Sequence, residues 1–220
     1  MIDNDRLGIY LSSIEKDNGE VLSEIEKEAL DTFVPIIRKD MQYFLRTILA
    51  MIRPKNILEI GSGVGFSAIL MAENTESDCM ITTIENYEPR FEVAKNNFKK
   101  AKVESRITFL EGDAEDILTT LSGKYDFVFV DAAKGQYINY WPEVKRLTEP
   151  GAVIVTDNVL QDGDILESHF VVERRNRTIY KRIREYLYEL CHDENYETTI
   201  LSVGDGVALT SKKGDTHETS

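Results

Sequence analysis

A glycine-rich turn is the first feature of the sequence that could bind a ligand. Gly61, Gly63 and Gly65 follow the short apolar run NILEI, and a helical pattern begins directly after them. Glycine lets backbone N–H groups approach a ligand closely, and open α/β sheets bind ligands at this edge. The pattern alone is also compatible with a tight packing turn. No P-loop lysine follows the glycines, which disfavours a nucleoside triphosphate.

Acidic residues end the next two predicted strands. Glu85 lies 24 residues after Gly61, where a carboxylate can accept hydrogen bonds from the hydroxyl groups of a ribose. Asp113 ends the third predicted strand in the segment GDA, within reach of an adenine edge. Acids at consecutive strand ends are poorly explained as solvated caps, so we predict a nucleoside-type ligand at this edge.

Oxygen-bearing side chains also end the fourth and fifth predicted strands. Asp131 closes the segment FVFVD, and Asp157 and Asn158 close the segment VIVTDN. Two carboxylates and an amide suit a hard divalent cation such as Mg²⁺, which favours oxygen ligands. We therefore expect a metal site here, although each side chain could instead cap a helix or form a turn.

These residues can act together only if a sheet brings the strand ends to one edge. From Asn56 the sequence alternates apolar strands with helical stretches, which predicts a parallel α/β sheet with helices on both faces. The predicted strands span 56–61, 79–85, 106–113, 125–131 and 151–158, followed by a hairpin of strands 198–203 and 206–211 joined through Gly204-Asp205. The predicted helices span 5–16, 23–33 with Ser23 as the cap, 41–52, 67–73, 88–100, 114–121, 137–147 and 171–190.

The composition is that of a single globular domain. The 220 residues are 42% hydrophobic and 30% charged, which excludes wholesale disorder. We divide the domain into a helical cap (1–55), a Rossmann-like core (56–211) and a polar tail (212–220). No apolar run is long enough for a membrane helix, and the acidic N-terminus is unlike a signal peptide, so we expect a cytoplasmic protein with no membrane partner.

The motifs resemble the cofactor site of the class I S-adenosylmethionine-dependent methyltransferases. The segments ILEIGSGVGFSAI and EGDA, with Glu85 between them, carry the resemblance. It implies S-adenosylmethionine as the cofactor and a seven-stranded, mostly parallel sheet with a C-terminal antiparallel hairpin. In that family the glycine turn lies against the methionyl part of the cofactor. The acid that matches Glu85 holds the ribose, and the serine that matches Ser67 reaches the carboxylate of the cofactor. The implied cofactor-binding residues are Gly61, Ser62, Gly63, Ser67, Glu85, Asp113, Ala114 and Asp131, and the resemblance to tRNA methyltransferases described below adds Ile37.

The segments VDAAKGQY and TDNVL resemble the metal-dependent O-methyltransferases typified by catechol and caffeoyl-CoA O-methyltransferases. This resemblance, over about residues 9–210, implies that Asp131, Asp157 and Asn158 ligate Mg²⁺ or another divalent cation. Lys134 matches the general base of the catechol enzyme and forms the implied catalytic pair with Asp131, although an ordinary solvated lysine is the alternative. The implied reaction joins a deprotonated substrate oxygen to the sulfonium methyl group, giving a methyl ether and S-adenosylhomocysteine.

A basic segment, Val171–Arg184, stands out in a chain of net charge −13. It contains one acid, Glu173, and six cations beside Tyr180, an arrangement that could hold an RNA backbone. The alternative is a solvated helix face paired with acids elsewhere. The predicted RNA-binding residues are Arg174, Arg175, Arg177, Lys181 and Arg182.

The sequence leaves two classes of substrate open, a tRNA and a small phenol. VDAAKGQY, TDNVL, ERRNR and SVGDGVAL together most resemble the bacterial tRNA 5-hydroxyuridine methyltransferases, which implies a homodimer that forms 5-methoxyuridine at the wobble position of the tRNA anticodon region. The alternative is the same chemistry on a small catechol-like or CoA-linked phenol. A nicotinamide-dependent dehydrogenase or a non-catalytic RNA-binding module would leave Asp131, Asp157 and Asn158 without a role.

Overall fold

The computed structural model describes residues 10, 13–168, 170 and 172–214. The strands are β1 (Asn56–Ile60), β2 (Met80–Glu85), β3 (Ile107–Glu111), β4 (Tyr125–Val130), β5 (Thr148–Thr156), β6 (Tyr196–Leu201) and β7 (Val207–Lys212). The helices are α1 (Glu20–Asp31), α2 (Lys39–Ile52), α3 (Phe66–Glu73), α4 (Phe91–Lys100), α5 (Ala114–Thr120), α6 (Tyr137–Leu147) and α7 (Arg177–His192). The helix predicted over 5–16 and the end of the polar tail lie largely outside the described residues.

The strands form one sheet in the order β3-β2-β1-β4-β5-β7-β6. Strands β1 to β5 are parallel, whereas β7 is antiparallel to both β5 and β6. The predicted fold class is therefore confirmed. Because all five parallel strands end at the same edge, the loops after β1, β2, β4 and β5 meet there.

Alternate residues of the central strand β4 enter two separate cores. Phe127 and Phe129 are fully buried on the face that α1 to α4 cover. Val128 and Val130 are buried on the opposite face, against α5, α6 and α7. This period of two, with both faces apolar, is what a central strand of a doubly covered parallel sheet requires. In the described part of the chain, no helix is long and apolar enough to cross a membrane.

The predicted start of the second helix, with Ser23 as its cap, is wrong. The helix α1 begins at Glu20 with Gly19 as its N-cap, so Ser23 lies inside the first turn rather than capping it. Its hydroxyl donates to the Asn18 carbonyl oxygen at 3.1 Å. The helix starts earlier because Leu22 and Ile25, three residues apart, are both buried in the core.

Two boundaries near the C-terminus also differ from the prediction. The predicted two-residue hairpin is a five-residue connection, 202–206, between β6 and β7. Gly206, which the prediction placed in the second strand, lies in this connection and has a positive φ of +84°. The basic helix α7 begins at Arg177 rather than at residue 171, since residues 174–176 form a turn.

Candidate active site

A cavity of about 440 Å³ opens at the carboxyl edge of the sheet. Segments from the cap, the glycine turn and the ends of β2, β4 and β5 line it. Eight of the residues predicted to bind the cofactor lie in its wall: Ile37, Gly61, Ser62, Gly63, Ser67, Glu85, Ala114 and Asp131. Their role in binding remains a prediction, but the fold brings them to one place.

The glycine turn is shaped by the end of the neighbouring strand β4. Gly61 has φ +101°, and a Cβ atom at this position would collide with the backbone carbonyl of Asp131. The turn is closed by N–H groups of Gly61 and Ser62, which both donate to the Ile84 carbonyl oxygen at 3.0 Å. Only glycine at position 61 allows β1 and β4 to approach this closely, and the approach puts the turn beside Asp131.

The carboxylate of Glu85 anchors the same turn. It is 5% exposed and accepts the backbone N–H of Gly63 at 2.6 Å on one oxygen. The other oxygen accepts the N–H groups of Asn86 and Tyr87 at 3.1 and 2.8 Å. Glu85 therefore joins the end of β2 to the glycine turn within the cavity wall, the position that the ribose prediction requires.

Asp113 makes a structural contact that the sequence does not predict. Its carboxylate accepts the N–H of Glu115 at 2.8 Å and so caps α5. Its neighbours Gly112 and Ala114 line the cavity, whereas Asp113 itself is exposed beside it. The predicted contact of Asp113 with adenine stays a prediction.

Glu59 is a buried acid on β1, just before the glycine turn, and was not among the predicted site residues. Thr83 donates its hydroxyl to one carboxyl oxygen, while the other oxygen has no hydrogen-bond partner among the described residues. Burial and the nearby charges of Asp131 and Glu85 raise the pKa of Glu59 to about 7, against hydrogen bonds from Ser67 and Thr83. An acid inside the otherwise apolar run NILEI was the signal available in the sequence.

The cavity wall also contains an unsatisfied polar atom. The hydroxyl of Ser62 is buried and has no hydrogen-bond partner within the described ranges. A buried hydroxyl without a partner is costly unless a bound molecule or water satisfies it. Ser62 therefore fits a polar group of a ligand in this cavity, as the predicted cofactor site requires.

The predicted metal-binding residues meet in the wall between β4 and β5. Asn158 adopts a left-handed backbone with φ +60°, and its side-chain amide donates to the Asp131 carboxylate at 3.1 Å. The Asp157 carboxylate accepts the N–H of Asn158 at 2.7 Å. Strained backbone of this kind is concentrated at functional sites. The donors are two carboxylates and an amide, and no group of three or more His, Cys, Asp or Glu suited to a metal occurs in the described part of the chain.

Both carboxylates of this cluster hold protons more tightly than usual. Burial raises the pKa of Asp131 to about 6, although Asn158 and Lys134 oppose the shift. Burial, and then the charge of Asp131, raises the pKa of Asp157 to about 7. Two buried carboxylates that disfavour each other's charge make a favourable place for a cation. The donor set therefore fits a divalent ion bound mainly through oxygen.

Lys134 is paired rather than solvated. Its ammonium donates to the Asp205 carboxylate at 2.9 Å, and Asp205 lies in the connection between β6 and β7. Asp205 also lines the cavity, so the pair is at the edge of the site. A general-base role requires Lys134 to leave this ion pair or to release its proton within it.

The cations of the basic segment fall into two groups. Three make intramolecular bonds: Arg177 donates to the Val172 carbonyl, Arg182 to the Gly135 carbonyl, and Arg184 to the Ile165 carbonyl. Arg174, Arg175 and Lys181 are exposed, and Arg175 pairs with Glu173 at 2.7 Å. The six cations therefore do not form one free surface, because half of them donate hydrogen bonds to carbonyls of the chain.

The raised pKa values of these carboxylates should make the stability of the folded protein depend on pH. A buried acid with a raised pKa stabilises the folded state below its unfolded pKa, and this stability is lost as the pH rises through the folded value. We therefore expect the free energy of unfolding of the metal-free wild-type protein to fall by on the order of 1–3 kcal/mol, relative to that of Asp157→Asn, as the pH rises from about 4 to 8. Chemical denaturation in EDTA checks this, and a pH-independent difference would contradict the shifted pKa of Asp157.

The comparisons with known proteins agree on the class of enzyme. The family model described as O-methyltransferase matches residues 12–213. Caffeoyl-CoA O-methyltransferase 5 of Nicotiana tabacum is 33% identical over 177 residues, 77% of this chain and 74% of its own. Catechol O-methyltransferase of Niastella koreensis is 37% identical over 131 residues, 57% of this chain and 59% of its own.

A solved structure extends the agreement to the whole fold. The O-methyltransferase TomG of Streptomyces achromogenes, determined in complex with S-adenosylmethionine, has a TM-score of 0.85 at 26% identity and covers 97% of this chain and 100% of its own. The match therefore includes the cap, the sheet and the C-terminal hairpin. This chain belongs to the O-methyltransferase family, and the predicted class of enzyme, an S-adenosylmethionine-dependent O-methyltransferase, is confirmed.

Proposed function

We propose that this protein methylates one of two neighbouring oxygens on a small catechol-like or CoA-linked phenol, with a divalent cation and S-adenosylmethionine. The observation that carries the proposal is the meeting of Asp131, Asp157 and Asn158 in the cavity wall beside the glycine turn. Similarity to catechol and caffeoyl-CoA O-methyltransferases supports a phenolic substrate. Cytoplasmic location and a homodimer stay predictions.

The chain offers a polar and acidic wall for the cofactor. The orphaned hydroxyl of Ser62 and the buried Ser67 are placed for its polar groups, and Glu85 for its ribose hydroxyls. Acidic groups surround this wall, since Glu85 and Asp131 line the cavity and Glu59 lies behind it. Such a wall suits the positive sulfonium and ammonium groups of S-adenosylmethionine.

Asp131, Asp157 and Asn158 would hold the cation, each through a side-chain oxygen. When bound, the cation supplies Lewis acidity that lowers the pKa of a substrate hydroxyl, and S-adenosylmethionine supplies the methyl group. Lys134 lies three residues beyond Asp131 and is the nearby candidate to accept the hydroxyl proton, which it can do only as the neutral amine, after its ammonium has released a proton. The chain's own contribution is then to orient the substrate oxygen and to keep the site acidic and enclosed.

A tRNA that carries 5-hydroxyuridine is the second candidate substrate. Its 5-hydroxyl adjoins the 4-carbonyl, so it presents the same pair of oxygens as a catechol. The observation in its favour is the exposed group of Arg174, Arg175 and Lys181. Arg177 and Arg182, two of the five cations predicted to bind RNA, instead bond to carbonyls of the chain.

The deciding experiment offers purified protein S-adenosylmethionine and Mg²⁺ with either catechol, caffeoyl-CoA or tRNA carrying 5-hydroxyuridine. Mass spectrometry then looks for one added methyl group. Methylation of catechol or caffeoyl-CoA, with tRNA a poor substrate, is the expected result. Methylation of tRNA alone would overturn the phenol proposal and establish the second candidate.

The basic segment gives a prediction that separates the two substrates. Replacing Arg174, Arg175 and Lys181 with glutamine should leave kcat/KM for catechol within about twofold, because none of these side chains lines the cavity. If tRNA is the substrate, the same variant should raise KM about tenfold or more and flatten its salt dependence. A matched control replaces Lys99 and Lys100 on α4, at a different part of the surface.

A further inference from the structure

Lys134 is held in place by a residue far away in sequence. Its ammonium lies 2.9 Å from a carboxylate oxygen of Asp205, which is separated from it by 71 residues. Asp205 is 8% exposed, whereas the side chain of Lys134 is 28% exposed. The acid is the more buried partner and lines the cavity, and the lysine that pairs with it directly follows Ala132 and Ala133, which also line the cavity.

The connection that carries Asp205 is itself pinned to the strand end that carries the metal-binding residues. The N–H groups of Val159 and Leu160 donate to the carbonyls of Gly206 and Asp205 at 3.0 and 2.9 Å. Gly206 has φ +84°, and a Cβ atom there would collide with the Leu160 side chain. Asp205 is thus positioned directly by the segment that follows Asn158.

The same connection is also fixed from the cap. The N–H of Gly204 donates to the Asp40 carboxylate at 2.7 Å, at the start of α2. The loop therefore has contacts on both sides of Asp205, from the cap and from the segment after β5. A side chain on such a loop can hold a partner in one orientation, which a mobile loop cannot do.

The turn that carries Lys134 is fixed from a second direction. Lys134–Gln136 form a short 3₁₀ turn between β4 and α6. The guanidinium of Arg182, on α7, donates to the Gly135 carbonyl at 2.9 Å and to the Gln136 side chain at 3.1 Å. Arg182 thus holds the backbone beside Lys134, while Asp205 holds its ammonium.

We propose that Asp205 and Arg182 are positioning residues for Lys134, which they keep at the edge of the cavity in one orientation. A lysine side chain has several rotatable bonds, and without a partner it would sample many positions relative to the substrate oxygen. Reaction rates depend steeply on such positioning. This inference rests on the proposed function, because it requires that Lys134 act on the substrate.

A double-mutant cycle tests the role of Asp205. We expect Asp205→Asn to lower kcat for catechol methylation about 10- to 100-fold without changing the dissociation constant for S-adenosylmethionine. In a Lys134→Gln background, Asp205→Asn should cost less than about twofold further, since its effect passes through the lysine. Asp205→Glu keeps the charge and should recover part of the lost rate.

Arg182 has a matched control on the same helix. Arg182→Gln should lower kcat and should also become nearly silent in the Lys134→Gln background. Arg184→Gln removes a similar bond, to the Ile165 carbonyl, that does not involve the Lys134 turn, and it should leave kcat within about twofold. Equal losses for Arg182→Gln and Arg184→Gln would assign both arginines to general stability and overturn the role of Arg182.

The outcomes separate this inference from the proposed function. An active wild-type enzyme with additive losses for Asp205→Asn and Lys134→Gln would overturn the positioning role alone. A large rise in the Mg²⁺ concentration needed by Asp205→Asn would also overturn it, since Asp205 would then act on the cation instead. A wild-type protein that methylates no substrate in the presence of Mg²⁺ would contradict the proposed function itself.

Discussion

Replacing Asp157 with asparagine should reduce methyl transfer by about 10³-fold or more, the largest loss that we expect from any single substitution. Asparagine keeps the size of the side chain and an oxygen that can accept the 2.7 Å hydrogen bond from the Asn158 N–H. It removes the charge, and with it the main attraction between this buried position and a cation. The backbone turn should therefore survive while the metal site fails.

The affinity for S-adenosylmethionine should change little in this variant, by less than about threefold. The groups that we assign to the cofactor, such as Ser62 and Glu85, lie at the ends of β1 and β2, whereas Asp157 follows β5 on the other side of β4. Isothermal titration calorimetry measures the affinity, and mass spectrometry measures turnover. Asp116→Asn, an exposed acid on α5, is the matched control and should be fully active.

The cation itself gives an independent measurement. Wild-type activity should disappear in EDTA and return when Mg²⁺ is added, while Asp157→Asn should stay inactive at any Mg²⁺ concentration. If the wild type keeps its activity in EDTA, the metal role of Asp131, Asp157 and Asn158 is wrong. Partial recovery of Asp157→Asn at high Mg²⁺ would instead show that Asp131 and Asn158 retain weak binding.

The site residues that could be predicted from the sequence are those that lie at the ends of strands. Once the alternating pattern fixes a parallel sheet, the carboxyl ends of its strands must lie at one edge. Glu85, Asp131 and Asp157 each end a strand or follow its last residue, so their convergence follows from the order of the elements alone. Gly61 belongs to the same class, because its turn directly follows β1.

The contacts that the sequence did not reveal join loop residues that are far apart in the chain. Lys134 meets Asp205 because a five-residue connection, pinned by Gly206 against Leu160, turns the acid into the cavity wall. Nothing in the spacing of these residues specifies that geometry. The basic segment shows the same limit, since composition records the charge of Arg182 but not the carbonyl to which it donates.

Glu59 illustrates a third limit. An acid in an apolar strand is visible in the sequence, but its role depends on which neighbours receive its hydrogen bonds. Here Ser67 on α3 helps to lower the pKa of this acid, and Thr83 ties it to β2 by donating a hydroxyl hydrogen bond. That tie depends on the register of β1 against β2, where Glu59 lies directly opposite Thr83.

Replacing Glu85 with glutamine should weaken the binding of S-adenosylmethionine about 10- to 100-fold. The native carboxylate accepts three backbone N–H groups, from Gly63, Asn86 and Tyr87, on its two oxygens. An amide has only one acceptor oxygen, so its NH₂ group must face one of these donors. The substitution should both disturb the glycine turn and remove the charged acceptor for the ribose hydroxyls.

The same substitution should leave kcat at saturating cofactor within about threefold, because the cation and the reacting oxygen belong to the opposite side of the cavity, at β4 and β5. Calorimetry and saturation kinetics separate the two effects, and Glu88→Gln, an exposed acid nearby, is the control. If the dissociation constant is unchanged, Glu85 serves only to anchor Gly63, and the ribose assignment is wrong. If kcat falls with affinity, the glycine turn also orients the methyl group, because Gly61 packs directly against the backbone of Asp131.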